Sequence, residues 1–336
     1  MTAPAALLSL IKPRIAGLLC LTGVTASVAA GGLPLLDLLA FAVAGVGMAG
    51  GAAALNCYYD RDIDPKMDRT ADRPLATGAV APRAALSFAA ALLLGATLLA
   101  LWRLPPVAVA YMWLGVLSYV GLYTVLLKRR HWLGVVLGGS AGSFPVLAGW
   151  TAVRPLALPA VVMAALVFVW TPAHAWALAV VYREDFAAAE IPTLPVVAAP
   201  SRVRRGVWVS ALATVGTAGL LVPFAGPVYA GAVLPAAALF GLAYRPFARR
   251  GGDARAVRAF FSSNVFLAAV FLGWAVSGIT DAPVVAVAVA LGTVGLFVGI
   301  WSRRPALDGV RAAPGPDWAG LATRARDRLT VELGGL

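Results

Sequence analysis

Polar residues along this chain are grouped rather than scattered, and the intervals between the groups are apolar. These intervals run to about 20 residues, the length a helix needs to cross a bilayer. Ten can be marked off, at roughly 14–33, 36–58, 83–101, 106–126, 133–153, 158–181, 206–224, 227–247, 259–280 and 284–301. A membrane barrel would instead show short strands of alternating apolar and polar residues. The pattern therefore predicts an all-α fold, a polytopic membrane helical bundle. Residues 1–13 are a short, mildly apolar lead, and 305–336 are a Pro-, Gly- and Arg-rich tail with a candidate amphipathic helix around 317–334. The first run ends in small residues, as a signal peptide does. Lys12 and Arg14 stand directly before it with a dozen residues ahead of them, so it reads as a membrane helix.

Composition agrees: of 336 residues, 61% are apolar and 12% charged, against about 25% charged in an ordinary soluble domain. The net charge of +12 would suit a nucleic-acid partner, but its distribution points elsewhere. With a cytoplasmic N-terminus, the loops near 58–83, 127–133, 182–205 and 245–258 and the tail after 301 all fall inside. Of 27 Lys and Arg, only Arg103 and Arg154 then fall outside. The positive-inside bias accounts for the charge and leaves no call for nucleic acid. The two cysteines, Cys20 and Cys57, are too few and too far apart for a disulfide framework or a zinc site, and read as packing residues.

The most informative polar group follows the second apolar run: NCYYDRDIDPKMDRTADRPLATG, residues 56–78. Asn56, Asp60, Asp64 and Asp68 recur every fourth residue, which keeps them on one helical face while the helix lasts. Pro65 disfavours helical geometry at Asp64, so the helix is expected to end there, with Asp60 and Asp64 at an aqueous membrane edge. Like charges at this spacing repel, and a cation between them would relieve that. Hard oxygen ligands of this kind suit Mg²⁺, which is held by one or two carboxylates plus substrate phosphates. Lys66, Arg69 and Arg73 follow and can neutralise phosphate oxygens. Lys128, Arg129 and Arg130 close the fourth run, where topological anchoring and diphosphate binding both remain open. The fifth run contains GGSAGSFP, whose Pro145 and glycines weaken a helix, a feature tolerated where a cavity is lined. The sixth carries Pro172, His174 and Trp176, and an ionisable group inside a membrane helix is a functional candidate or a hydrogen-bonded bundle residue. A second acidic group follows it, with Glu184, Asp185 and Glu190. Tyr244, Phe260 and Phe261 read as an interfacial aromatic belt.

The NxxxDxxxD group at the end of the second run resembles the intramembrane aromatic prenyltransferase superfamily. The continuation DRDIDPKMDRTADRPLATG is similar to one branch of it, the protohaem IX farnesyltransferases, or haem O synthases. KPRIAGLLCLT at 12–22, YTVLLKRR at 123–130, GGSAGSFPVLAGWTAV at 138–153 and WTPAHAWALAVVYREDFAAAEIPTLPVV at 170–197 carry the same resemblance, over roughly residues 10–280. It implies nine core transmembrane helices, so the run at 284–301 is an added tenth. The organisation expected is a lead at 1–13, a prenyltransferase domain at 14–280, the extra helix within 281–304 and a cytoplasmic tail at 305–336. The activity implied is transfer of farnesyl from farnesyl diphosphate to a vinyl group of protohaem IX, giving haem O. Asn56, Asp60, Asp64 and Asp185 are then the catalytic candidates. Asp60, Asp64 and Asp185 are expected to hold Mg²⁺, and Arg69, Arg73, Lys128 and Arg129 the diphosphate. His174 matches a family histidine and is the haem-binding candidate. The resemblance also implies a site in membrane lipid at the cytoplasmic face of the cell membrane, with a haem A synthase and terminal-oxidase assembly as expected downstream partners. A quinone precursor or chlorin is the alternative acceptor, and a carrier the alternative class. The family pattern D-Y-x-x-A-G-I-P-M-L-P is altered here, with Phe186 for Tyr, Glu190 for Gly and Thr193 for Met. Asp185 carries over from it and Glu190 does not.

Overall fold

A computed structural model describes residues 3–302, all helix and connecting turns, with no strand among the described residues. The expected end of the tenth run at Arg303 and Arg304, and the tail at 305–336 with its candidate amphipathic helix, lie outside the described residues. The long helices are α2 (Pro13–Ala29), α3 (Leu35–Tyr59), α4 (Pro82–Arg103) and α5 (Pro106–Leu127) in the first half. The second half holds α8 (Leu158–Val181), α11 (Pro200–Gly219), α12 (Val222–Arg250), α13 (Asp253–Ser277) and α14 (Pro283–Ser302). Short pieces complete the chain: α1 (Ala3–Leu10), α6 (Gly134–Gly138), α7 (Ser140–Thr151), α9 (Arg183–Ala188) and α10 (Leu194–Val197). Among the described residues, seven helices are long and apolar enough to cross a membrane, or eight if α1 and α2, inclined at 48°, form one bent span. The other two expected spans differ: α6 and α7 are divided at Gly139, and α11 begins six residues earlier than expected, taking in Arg202, Arg204 and Arg205.

Two apolar cores organise the bundle. One lies among α8, α11, α12 and α13, with Tyr229, Phe240, Tyr244 and Phe266 fully enclosed. The other lies among α3, α4, α5 and α7, built around Phe41, Met48, Leu93 and Met112. Helix α2 joins them, packing against α3 and α7 on one side and α13 on the other. Its approach to α7 is backbone on backbone: a Cβ at Gly149 would stand 1.9 Å from the Gly23 carbonyl oxygen. Helix α14 packs mainly on α12, where Gly231 leaves room for the Ala286 carbonyl. The lead is not a loose tail. Ala6 and Leu10 are buried against Ala54, Cys57, Leu75 and Val80, which docks α1 beside the end of α3. The two arginines expected outside are both engaged, Arg103 in an ion pair with Asp37 at 2.6 Å and Arg154 over the Trp150 ring.

Two local departures from regular helix shape the interior. From Leu117 to Leu127 α5 is a π-helix, whose wider turns are held by i to i−5 bonds such as Lys128 N–H to the Tyr123 carbonyl at 2.8 Å. Such segments occur often at functional sites. In α8, Pro172 has no N–H to give the preceding turn. Ser210 of α11 enters the opened helix, accepting from Ala173 N–H at 2.9 Å and donating to the Val169 carbonyl.

Candidate active site

The Asn-Asp-Asp register survives the end of its helix. Asp60 is the C-cap of α3, and its N–H bonds to the Asn56 carbonyl at 2.9 Å. The chain then takes another turn in which Asp64 N–H bonds to the Asp60 carbonyl at 2.9 Å, before a 3₁₀ turn over Asp64–Lys66. Asn56, Asp60 and Asp64 thus stay aligned, while Asp68 lies beyond the break and is exposed. The expected aqueous edge is not what these carboxylates meet: Asp60 and Asp64 are both 0% exposed. Basic side chains from distant segments enclose and neutralise them.

Lys128, at the end of the π-helix, pairs with Asp60 Oδ2. Arg73 pairs with Asp64, its Nη1 lying 2.8 Å from Oδ1 and 2.9 Å from Oδ2. Arg129 donates twice to Asp62, at 2.7 Å each, and its Nη2 stands 3.7 Å from Asp60 Oδ1. That guanidinium holds the Asp62 carboxyl below its ordinary value, and the carboxylate in turn raises the arginine. The amide of Asn56 donates to Asp60 Oδ2 at 2.8 Å and to Thr124 Oγ1 at 3.2 Å, and its oxygen accepts from Lys12 Nζ at 2.7 Å. Asp60 Oδ1 is buried and has no hydrogen-bond partner. A hard, unshared oxygen beside a second buried carboxylate fits a divalent cation. Among the described residues no three His, Cys, Asp or Glu side chains converge closely enough to hold an ion by themselves. That suits an ion completed by substrate phosphates rather than by an all-protein cage.

The second acidic group meets the first. Arg69 N–H donates to Asp185 Oδ2 at 3.2 Å, and Ile63, Met67, Ala189 and Ile191 form a small apolar cluster between the two loops. The Arg69 guanidinium lies 5.4 Å over the Tyr182 ring and 5.9 Å from that of Phe186. Glu190 is exposed and adopts φ +57°, a left-handed position that favours glycine.

Beneath the charged cluster lies an apolar cavity of about 440 Å³. Lys12, Tyr119 and His174 are among its few polar lining groups, with Phe41, Met48 and Tyr111 on its walls. Lys12 marks the bend between α1 and α2 and adopts φ +48°, unusual for a residue with a side chain. His174 is stacked between Trp170 at 4.2 Å and Phe260 at 4.5 Å. Its Nδ1 lies 2.7 Å from Ser263 Oγ, and that hydroxyl donates to the Phe260 carbonyl at 2.6 Å. With the serine proton on the Phe260 carbonyl, its oxygen accepts from Nδ1–H and Nε2 keeps the free lone pair. Phe260 is thus a partner of the site rather than part of a belt, and Tyr244 is fully buried. Lys12, Thr124, Ser263 and Trp170 were missed as site residues. Lys12 carried a signal, a cation between an apolar lead and an apolar run, but it read as an anchor.

A helical membrane bundle with buried, cation-matched carboxylates at the mouth of an apolar cavity is the arrangement of a membrane prenyltransferase. The UbiA prenyltransferase family matches residues 17–265, and the chain belongs to that family. Curated relatives include "Protoheme IX farnesyltransferase" of Rhodococcus jostii, 41% identical over 280 residues, or 82% of this chain and 93% of that one. "Protoheme IX farnesyltransferase 1" of Saccharopolyspora erythraea is 44% identical over 293 residues, covering 83% and 91%. Among solved structures, a digeranylgeranylglyceryl phosphate synthase has the same fold with a TM-score of 0.69 at 17% identity, over 83% of this chain and 99% of that one. A UbiA homologue from Archaeoglobus fulgidus bound to GPP and Mg²⁺ has a TM-score of 0.57 at 16% identity, over 96% and 94%.

Proposed function

We propose that this chain transfers the farnesyl group of farnesyl diphosphate to a vinyl group of protohaem IX, giving haem O, at the cytoplasmic face of the cell membrane. The observation that carries this reading is the placement of two buried carboxylates and their cations at the polar end of an apolar cavity. The names of the relatives supply the acceptor. Residues 14–280 form the catalytic domain, with α14 as an addition to it. A haem A synthase and terminal-oxidase assembly would take up the product.

Asp60, Asp64 and Asp185 are the residues that would hold Mg²⁺, which when bound supplies Lewis-acid charge neutralisation to the leaving diphosphate. Asn56 orients Asp60, because its oxygen is already committed to Lys12 and its N–H groups to Asp60 and Thr124. Arg69 binds diphosphate oxygens directly, since among the described residues its guanidinium makes aromatic contacts and no ion pair. Arg73, Lys128 and Arg129 hold the carboxylates in the free protein and turn to phosphate oxygens once a metal–diphosphate pair arrives. Breaking the C1–O bond releases diphosphate and leaves an allylic cation, which the water-poor cavity protects from early capture. The vinyl π electrons form the new bond to C1. Water then adds to the resulting cation and a proton leaves, so that haem, farnesyl diphosphate and water balance haem O, diphosphate and one proton. His174 is assigned to the haem, through its Nε2 lone pair. Incubating membranes with haem, farnesyl diphosphate and Mg²⁺ and weighing the product tests this. A prenylated quinone precursor or chlorin with no haem O sinks the acceptor, and ion or solute flux without any prenyl transfer sinks the enzyme.

A further inference from the structure

A second cavity, a groove of about 650 Å³, lies on the opposite side of α8 from the catalytic chamber, against α6, α10 and α11. Trp132, Phe168, Trp176, Val197 and Val209 line it, and Arg202 and Arg205 stand at its end. The two arginines are three residues apart on α11 and so share a face. Both are exposed, and neither makes an ion pair or hydrogen bond among the described residues. Trp176 is 6% exposed, and its indole N–H meets no acceptor among them.

We propose that this groove binds one anionic phospholipid, its phosphate between Arg202 and Arg205 and one acyl chain along α11. Length argues for a lipid rather than a small anion. The lining runs along α11 from Arg202 to Ala213, about 16 Å at 1.5 Å per residue. Half the ~30 Å hydrocarbon core of a bilayer is about 15 Å, so the groove matches one leaflet. Charge sets the head: two arginines without carboxylate partners at the basic end of an apolar channel complement a phosphate. Trp132 and Trp176, with ring centroids 6.1 Å apart, stand near the arginines, the Trp176 ring reaching Gly206 beside Arg205, and tryptophans of membrane proteins concentrate at headgroup depth. The groove shares only helix α8 with the reaction chamber, and none of the residues assigned to the diphosphate or haem lines it.

The test uses the full chain in nanodiscs of equal phosphatidylglycerol and phosphatidylcholine, followed by transfer to mild detergent and native mass spectrometry. One phosphatidylglycerol should remain bound, and no phosphatidylcholine. Arg202→Gln with Arg205→Gln should weaken retention about 30-fold, corresponding to ~1 kcal/mol for each basic residue near an anionic lipid. Val209→Trp fills the channel, leaves both arginines in place and should also abolish retention. Val209 is 58% exposed and the arginines are surface groups, so all variants should unfold at the parent temperature. Equal retention of the two lipids would overturn the proposal. So would retention by the double arginine variant, indifference to Val209→Trp, or one-for-one displacement by farnesyl diphosphate.

Discussion

Replacing Lys128 with Met tests the reading of the charged cluster most directly, because it keeps the apolar stem and removes only the ammonium. Asp60 is fully shielded and Lys128 only 10% exposed, so the two form a buried pair. Breaking such a pair by removing one partner costs about 3–5 kcal/mol, since a charge is left without compensation. Two features favour the lower end. Asn56 still donates to Asp60 at 2.8 Å, and Arg129 stands 3.7 Å away. We therefore expect a loss of ~3 kcal/mol, seen as a fall of several degrees in Tm for the purified protein in detergent. Lys128→Met combined with Asp60→Asn should recover most of that, and the double-mutant cycle should return a coupling of about 2 kcal/mol or more. Mg²⁺ with inorganic pyrophosphate should restore part of the Tm in the single variant and none in the double. A single variant that melts with the parent would refute the claim that Lys128 is what neutralises Asp60. Rescue of the double variant by Mg²⁺ and pyrophosphate would show that the ion is held elsewhere.

Asp60→Ala and Asp64→Ala should each abolish haem O formation, whereas Asp68→Ala, beyond the helix break and exposed, should leave most of it; equal loss in all three would mean the register argument is wrong. Asp185→Asn should raise the Mg²⁺ needed for half-maximal rate and cut turnover by orders of magnitude. Glu190→Gly, which relieves the left-handed φ of +57°, should leave turnover intact; a loss of turnover would show that the Glu190 side chain has a role. The lowered Asp62 carboxyl contributes stability that is present above its unfolded value near 4 and lost as the pH falls below it. Melting curves of Asp62→Asn should therefore match the parent except for a small deficit above about pH 4, which closes on acidification. A reporter fused at Asp281 should be external and one after Arg304 cytoplasmic, and the reverse would remove α14 from the list of spans.

The helices and the first acidic motif were legible because both rest on short-range rules. Apolar runs near 20 residues have one solution in lipid, and a four-residue repeat of Asn and Asp has one face. The meeting of the two acidic loops was legible only as a requirement; the bond from Arg69 N–H to Asp185 brings the loops together, without gathering three carboxylates at one point among the described residues. What escaped the sequence depends on long-range packing. Nothing around Thr124 announces a ligand for Asn56, because the π-helix that turns it inward is set by tertiary contacts. Ser263 and Trp170 became site residues through α13 lying against α8. Lys12 was visible as a cation, but its inward direction follows from the bend at φ +48°, which sequence spacing does not report. The burial of Asp60 and Asp64 escaped for the same reason, as Lys128, which covers Asp60, lies 68 positions away in the chain.

The pairing of opposite charges also explains how such a site coexists with an apolar chamber. Four cations, Lys12, Arg73, Lys128 and Arg129, gather around Asn56, Asp60, Asp62 and Asp64. Without the carboxylates they would repel one another, and without the cations two shielded carboxylates would be too costly to fold. Each set stabilises the other in the free protein, so neither has to draw water into the cavity mouth. A divalent ion entering alone would compete with the ammonium and guanidinium groups for the same oxygens. A diphosphate entering alone would compete with the carboxylates for the same N–H donors. On the proposed function, entering together they would exchange partners with the cluster, and the linkage would then be reciprocal: each would tighten the other by the same factor.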